Sequence, residues 1–224
     1  MTPDEIGAAT ARLLFDAGAI HLSRDRPFIL AAGWASPVYI DCRRLIDQPR
    51  LRKAVTQLAV AATRNEFGQG AFDAIVGAET AGMPFACWLA DALDLPLRYV
   101  RKRPLGIGHN AQVEGGPVAG LRVLLMDDLT TDAQSMIAFC RGLRAAGAEV
   151  TDVLTVFYHS AFPGAADRLA KAGLKLHALA TWHDVLMVED HLASEDRRLI
   201  QTFLADPIAW STRHGGRSEL ASRM

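Results

Sequence analysis

Apolar positions along this chain recur with two periods, and segments of the two kinds take turns. The opening "TPDEIGAATARLLFDAG" has helical spacing. Thr2 or Pro3 begins it, acids fill its first turn, and Gly18 stops it. In "FILAAGWASPVYIDCRRLI", β-branched and aromatic residues alternate around Gly33 and Pro37, which predicts a short hairpin or two extended pieces. Helical spacing returns from Pro49 to Asn65, with Leu51, Val55, Leu58 and Ala62 on one face.

From there, strand, turn and helix repeat. "DAIVGA" is a short apolar strand, followed by a helix from Met83 to Leu93, and "LPLRYV" is the next strand. Residues 102–117 have no apolar period and read as one long loop, the kind that in compact domains is usually functional. "LRVLLM" is a third strand, ending at Met126, and a helix from Ala133 to Ala146 is closed by Gly147. "VTDVLTVFY", the helix "PGAADRLAKAG" and the strand "LKLHALATW" follow, then a final helix "SEDRRLIQTFLAD" with Ser194 as its cap. The polar tail after about residue 210 reads as loose.

Strands alternating with helices imply an α/β fold with a central, mostly parallel sheet covered on both faces. Such sheets bind ligands at the carboxyl ends of their strands. Residues 1–224 read as a single domain without internal repeats.

A formal net charge of −1 gives no global field toward nucleic acid or membrane, so any anion site must be local. Cys42, Cys87 and Cys140 lack metal-ligand spacing and read as free thiols of a reducing compartment. His21, His177, His183 and His191 are scattered, so no protein-held metal is expected. Without a basic n-region or a membrane-length apolar run, the expected location is cytoplasmic.

One junction concentrates polar chemistry. The strand "VLLM" runs into Asp127 and Asp128, then Leu129, Thr130, Thr131, Asp132, Ala133, Gln134 and Ser135 before the next helix. Main-chain N–H groups at a helix N-terminus, with the Thr131 and Ser135 hydroxyls, suit a phosphate. The two carboxylates suit the opposite demand, accepting from hydroxyls or holding a hydrated Mg²⁺. A ribose phosphate satisfies both. On these residues alone, an acidic helix cap fits equally well.

"VLLMDDLTTDAQS" resembles the phosphoribosyl pyrophosphate (PRPP) motif of type I phosphoribosyltransferases, with Ala133 where that family usually has Gly. Alanine can serve there if its φ stays negative. Three further segments, in the same order and spacing, resemble orotate phosphoribosyltransferases. They are the N-terminal "LLFDAGAIHLSRDRPFILAAGWASPVYIDCRRLI", the pyrophosphate loop "GAETAGMPFA" and the catalytic loop "YVRKRPLGIGHNAQVEG".

The resemblance implies a type I phosphoribosyltransferase fold with a small N-terminal hood, largely residues 1–45. It implies transfer of phosphoribosyl from PRPP to orotate, giving orotidine 5′-monophosphate and pyrophosphate, with Mg²⁺ coordinated mainly by substrate. It also implies a homodimer in which loop 102–116 serves the neighbouring subunit.

By the same resemblance, Asp127, Asp128 and Lys102 are the catalytic candidates. Arg101, Arg103 and His109 would meet pyrophosphate, as would Thr80, Ala81 and Gly82. Residues 129–135 would grip the 5′-phosphate, and Tyr39 would face the base. The chain departs from well-known members at Leu105 and Ile107, where they carry Lys and His. An arginine that holds orotate in some members has no counterpart near Phe157–Tyr158–His159. A phosphoribosyltransferase for another base, or a non-catalytic PRPP-binding regulator, remains an open reading beside this one.

Overall fold

The computed structural model describes residues 1–104 and 112–218. Helix α1 (Pro3–Asp16) opens the chain in a capping box: the Thr2 hydroxyl accepts from the Glu5 N–H, and Glu5 reaches back to the Thr2 N–H. Gly18, at φ 61°, ends that turn. Two small antiparallel ribbons follow. β1 (Ile20–Leu22) pairs with β4 (Val38–Ile40), and β2 (Phe28–Ile29) pairs with β3 (Ala35–Ser36).

The short α2 (Arg44–Asp47) leads into α3 (Pro49–Phe67), which buries Leu51, Val55 and Leu58. Then come β5 (Ala74–Ala78), α4 (Gly82–Leu93), β6 (Leu97–Val100), β7 (Val113–Glu114) and β8 (Arg122–Thr130). Next are α5 (Gln134–Ala145), β9 (Glu149–Tyr158), α6 (Ala165–Lys171), β10 (Lys175–Thr181) and α7 (Trp182–Met187). The last helices are α8 (Ser194–Ala205) and α9 (Pro207–Arg213).

The sheet order is β10-β9-β8-β5-β6-β7, with every pairing parallel except the edge strand β7. Alternation along β8 divides the core. Leu124 and Met126 join α1, α3 and α4 on one face, while Val123 and Leu125 join α5 and α6 on the other.

Several details differ from the reading of the sequence. The loop of residues 102–117 contains β7, held by pairing of Val113 with Val100 and Glu114 with Tyr99. Strand β8 does not stop at Met126 but runs to Thr130, because β9 supplies backbone partners as far as Phe157 and Tyr158. Ladder bonds depend on the backbone, so two acids can sit in a strand where the sheet end opens to solvent. Ser194 is the first helical residue of α8 rather than its cap. In the described part of the tail read as loose, residues 211–218, buried Ser211 accepts from the Ala35 N–H at 3.0 Å and donates to the Arg217 carbonyl at 2.8 Å, while residues 219–224 lie outside the described residues. This C-terminal segment clasps the Ala32–Ala35 turn of the hood, and the Arg217 guanidinium lies 5.1 Å over the Trp34 ring.

Candidate active site

A cleft of about 790 Å³ opens at the carboxyl ends of β5, β8 and β9. Its walls bring together Thr80 and Ala81, Lys102, the run Asp127–Asp132, Gln134, Ser135 and Tyr39. These residues come from the carboxyl ends of three parallel strands, β5, β6 and β8, and from one hood ribbon, so the parallel topology converges them, as expected at a carboxyl edge.

The two carboxylates are partly buried, and the Asp128 N–H donates to Asp127 Oδ1 at 2.9 Å. Burial, and then the neighbouring charge of Asp128, push the Asp127 carboxyl well above the usual range. Burial raises Asp128 too, opposed by hydrogen bonds from Asp127 and the Leu129 main chain and by the Arg43 charge. Such a pair gains most from a ligand that brings hydroxyl donors and positive charge.

Past the strand, the Thr130 hydroxyl accepts from the Ala133 N–H at 3.2 Å, and Asp132 Oδ1 accepts from the Gln134 N–H at 3.2 Å. These two bonds fold the Thr130–Gln134 turn. Among the described residues, the hydroxyls of Thr131 and Ser135 have no protein partner, which leaves both available to an anion.

Ala133 does not keep a negative φ. It is left-handed at φ 63°, with its methyl fully buried. That conformation costs about 1–2 kcal/mol in an L residue. Burying the methyl offsets roughly 0.8 kcal/mol of it. Alanine therefore occupies a glycine conformation without losing the turn, and it does not itself line the cleft.

Gly82 is also off the cleft wall, for a packing reason. A Cβ there would lie 2.5 Å from the Met126 carbonyl oxygen and 2.8 Å from Asp127 Cα. Glycine thus lets the Glu79–Gly82 turn approach β8. The Glu79–Thr80 peptide in this turn is cis.

The basic triplet divides. Lys102 lines the cleft, with its N–H donating to Glu79 Oε2 at 2.8 Å and its charge favouring ionised Asp127. Arg101 lies off the wall. It pairs with Glu114 at 3.3 Å and Glu79 at 3.5 Å and stacks 5.3 Å from the Tyr99 ring. Arg103 is exposed and off the wall as well. His109, Leu105 and Ile107 lie outside the described residues.

The cleft also holds residues outside the candidate set named from the sequence. Glu79 was detectable as an acid at the end of β5, one residue before the loop. Leu30, Ala31 and Ala32 of the hood form an apolar wall beside Ile40. Arg43 also lines the cleft, donating to Asp41 at 2.6 Å and to the Tyr39 hydroxyl at 3.1 Å. His159, just beyond β9, also lines it, in the stretch where some family members carry an orotate-holding arginine. Among the described residues, no helix is long and apolar enough to cross a membrane.

A parallel sheet with paired acids and a hydroxyl-bearing turn at one strand end suits a ligand that joins a phosphate to a diol. The phosphoribosyl transferase domain model matches residues 43–192. An orotate phosphoribosyltransferase of Rhizobium rhizogenes is 45% identical over 95% of this chain and 93% of its own length. The crystal structure of the orotate phosphoribosyltransferase from Aeropyrum pernix superposes with a TM-score of 0.67 at 32% identity, covering 80% of this chain and 97% of that one. The UMP synthase of Leishmania donovani gives a TM-score of 0.75 at 27% identity, over 88% of this chain and 42% of that longer one. The chain belongs to the phosphoribosyltransferase family, in its orotate phosphoribosyltransferase branch.

Proposed function

We propose that the chain transfers the phosphoribosyl group of PRPP to orotate, forming orotidine 5′-monophosphate and releasing pyrophosphate. The observation that carries this reading is the convergence in one cleft of Asp127 and Asp128, the Thr131 and Ser135 hydroxyls and Lys102.

In this reading, residues 129–135 hold the 5′-phosphate through main-chain N–H and hydroxyl groups, and Asp127 and Asp128 accept from the ribose hydroxyls. The bond from the anomeric carbon to pyrophosphate breaks as the bond to the orotate ring nitrogen forms. Positive charge develops on the sugar, and the two carboxylates lie where they stabilise it. Lys102, with the Thr80–Ala81 turn, meets the charge of the leaving pyrophosphate. Orotate attacks as an anion, so the cleft needs no dedicated base.

The donor set fits Mg²⁺ arriving with PRPP, since two adjacent carboxylates at the ribose suit a hydrated, substrate-bound ion. PRPP oxygens and water would hold most of its coordination sphere, with Asp127 and Asp128 as the nearest protein carboxylates, and when bound it would supply neutralisation of the pyrophosphate charge. The homodimer sharing loop 102–116, and the pyrophosphate roles of Arg101, Arg103 and His109, rest on the family resemblance. A cytoplasmic setting is supported by the exposed free thiol of Cys87.

The test is calorimetric titration of PRPP with Mg²⁺, alongside turnover of orotate. Tight PRPP binding with turnover supports the reading. PRPP binding without turnover of any base would favour a regulator instead.

A further inference from the structure

The β2–β3 hairpin of the hood is small. Each strand is two residues long, and a ribbon of that size is marginal without outside support. Its tip, residues 30–34, is closed by two bonds: the Leu30 N–H donates to the Trp34 carbonyl at 2.8 Å, and the Gly33 N–H to the Leu30 carbonyl at 2.7 Å. Leu30, Ala31 and Ala32 of this tip line the cleft. An alanine side chain ends at Cβ, so the place of this wall is set by the backbone of the tip.

That backbone is held by residues that do not line the cleft. Buried Ser211, on α9, accepts from the Ala35 N–H at 3.0 Å. The Arg217 N–H donates to the Gly33 carbonyl at 2.8 Å, and its Nη1 to the Ala32 carbonyl at 3.4 Å. The segment is also closed on itself, since Ser211 Oγ donates to the Arg217 carbonyl and the Gly216 N–H donates to the Ser211 carbonyl at 2.9 Å. Gly216 stands where no side chain fits: a Cβ there would lie 2.3 Å from the Ala35 nitrogen and 2.5 Å from Ser211 Oγ.

Aromatic contacts root this arrangement in the core. Trp34 is buried, stacks on Phe162 at 4.6 Å and carries the Arg217 guanidinium 5.1 Å from its centroid. Trp210, one residue before Ser211, packs edge-on against Phe203 of α8 at 5.5 Å. Residues 210–217 therefore form a strap between the core and the tip of a ribbon that has little to hold it otherwise.

Under the proposed function, the phosphate turn, the two carboxylates and Lys102 take the PRPP end of the cleft. The apolar tip is left to the ring of the acceptor. We infer that the C-terminal segment is a positioning element for the acceptor, with Gly216 and Arg217 as its positioning residues. By fixing the backbone of residues 32–35, it sets how closely the Leu30–Ala32 wall approaches the ring. Affinity for the acceptor then depends on residues that never touch it, while affinity for PRPP does not. This rests on the reading of the cleft as a PRPP and orotate site.

The experiment combines steady-state kinetics, with orotate and PRPP varied separately, and amide hydrogen exchange on the full chain in wild type, Arg217→Ala and Gly216→Ala. Arg217→Ala deletes the cation over Trp34, and its KM for orotate should rise about three- to tenfold. Gly216→Ala forces the strap off Ala35, and its KM for orotate should rise about tenfold or more. In both variants the KM for PRPP and kcat stay within about twofold of wild type. Exchange should quicken in the peptide covering residues 28–36 and stay unchanged in the peptide covering β8. An unchanged KM for orotate, equal changes in both KM values, or faster exchange in β8 as well as the hairpin would overturn the inference alone. Absence of orotate turnover in wild type would overturn the proposed function, and the role given to the strap with it.

Discussion

Acid should weaken this protein through His159, by an amount the structure sets. The ordinary histidine value is 6.5, and burial lowers this ring to about 4. Between those limits the unfolded chain takes up a proton that the folded chain refuses. Stability is therefore lost as pH falls from about 6.5 toward about 4. At roughly 1.4 kcal/mol per pH unit, the full gap is worth about 3 kcal/mol. For a domain of this size that corresponds to roughly 6–12 °C in Tm.

His159→Phe removes the linkage. Near neutral pH the variant loses the acceptor for Trp182 Nε1 but also the unpaired Nε2–H, two effects of about 1–3 kcal/mol each that oppose one another. Other groups, including Asp127 and Asp128, titrate in both proteins, so the difference between the two isolates the histidine. Urea unfolding at several pH values from about 7 down to about 4.5 measures it. The wild-type stability should fall steadily relative to the variant. A difference that stays constant with pH would refute the burial argument.

Asp127→Asn should trade function for stability. The Asp127 carboxyl is raised by burial, so its ionised form costs folding free energy; that cost is full above the folded value and fades as pH falls from there toward the ordinary carboxylate range. The variant keeps an oxygen for the Asp128 N–H, so its Tm should exceed wild type near neutral pH, with the gain shrinking in acid. Its kcat should fall by about 10²-fold or more; equal or lower stability at neutral pH would contradict the burial effect. Gly82→Ala should destabilise by about 1–3 kcal/mol in urea titration, because its Cβ meets the β8 backbone; a neutral result would mean the turn has room to move. Thr131→Ala should weaken PRPP binding about tenfold by calorimetry, for loss of one hydrogen bond to a charged group, and an unchanged Kd would remove Thr131 from the phosphate grip.

The alternation of strands and helices was legible because each segment's apolar period is local, as in the stripe of Leu51, Val55 and Leu58. The polar junction at Asp127–Ser135 was legible for the same reason: its residues are contiguous. Features that depend on distant partners were not. The β7 pair is too short to show a period and exists only because Tyr99 and Val100 offer an edge. The ion pairs of Arg101 with Glu79 and Glu114 join residues well apart in sequence, so its fixed position at the edge of the cleft was not legible. The backbone conformation of Ala133 is imposed by the turn and by burial of its methyl, against its own preference. The stretch holding His159 was marked by the family comparison, but its partner Trp182, 23 positions on, was not.

The most direct measurement is spectrophotometric consumption of orotate by the purified chain with PRPP and Mg²⁺, in wild type and in Asp128→Asn. Asp128 is partly buried beside Asp127 at the cleft, and its carboxylate is the group proposed to hold the ribose. The account predicts PRPP-dependent loss of orotate in wild type and a rate lower by about 10²-fold or more in the variant, with its fold intact by circular dichroism. Full activity in Asp128→Asn would contradict the ribose role. No consumption in wild type would contradict the proposed reaction itself.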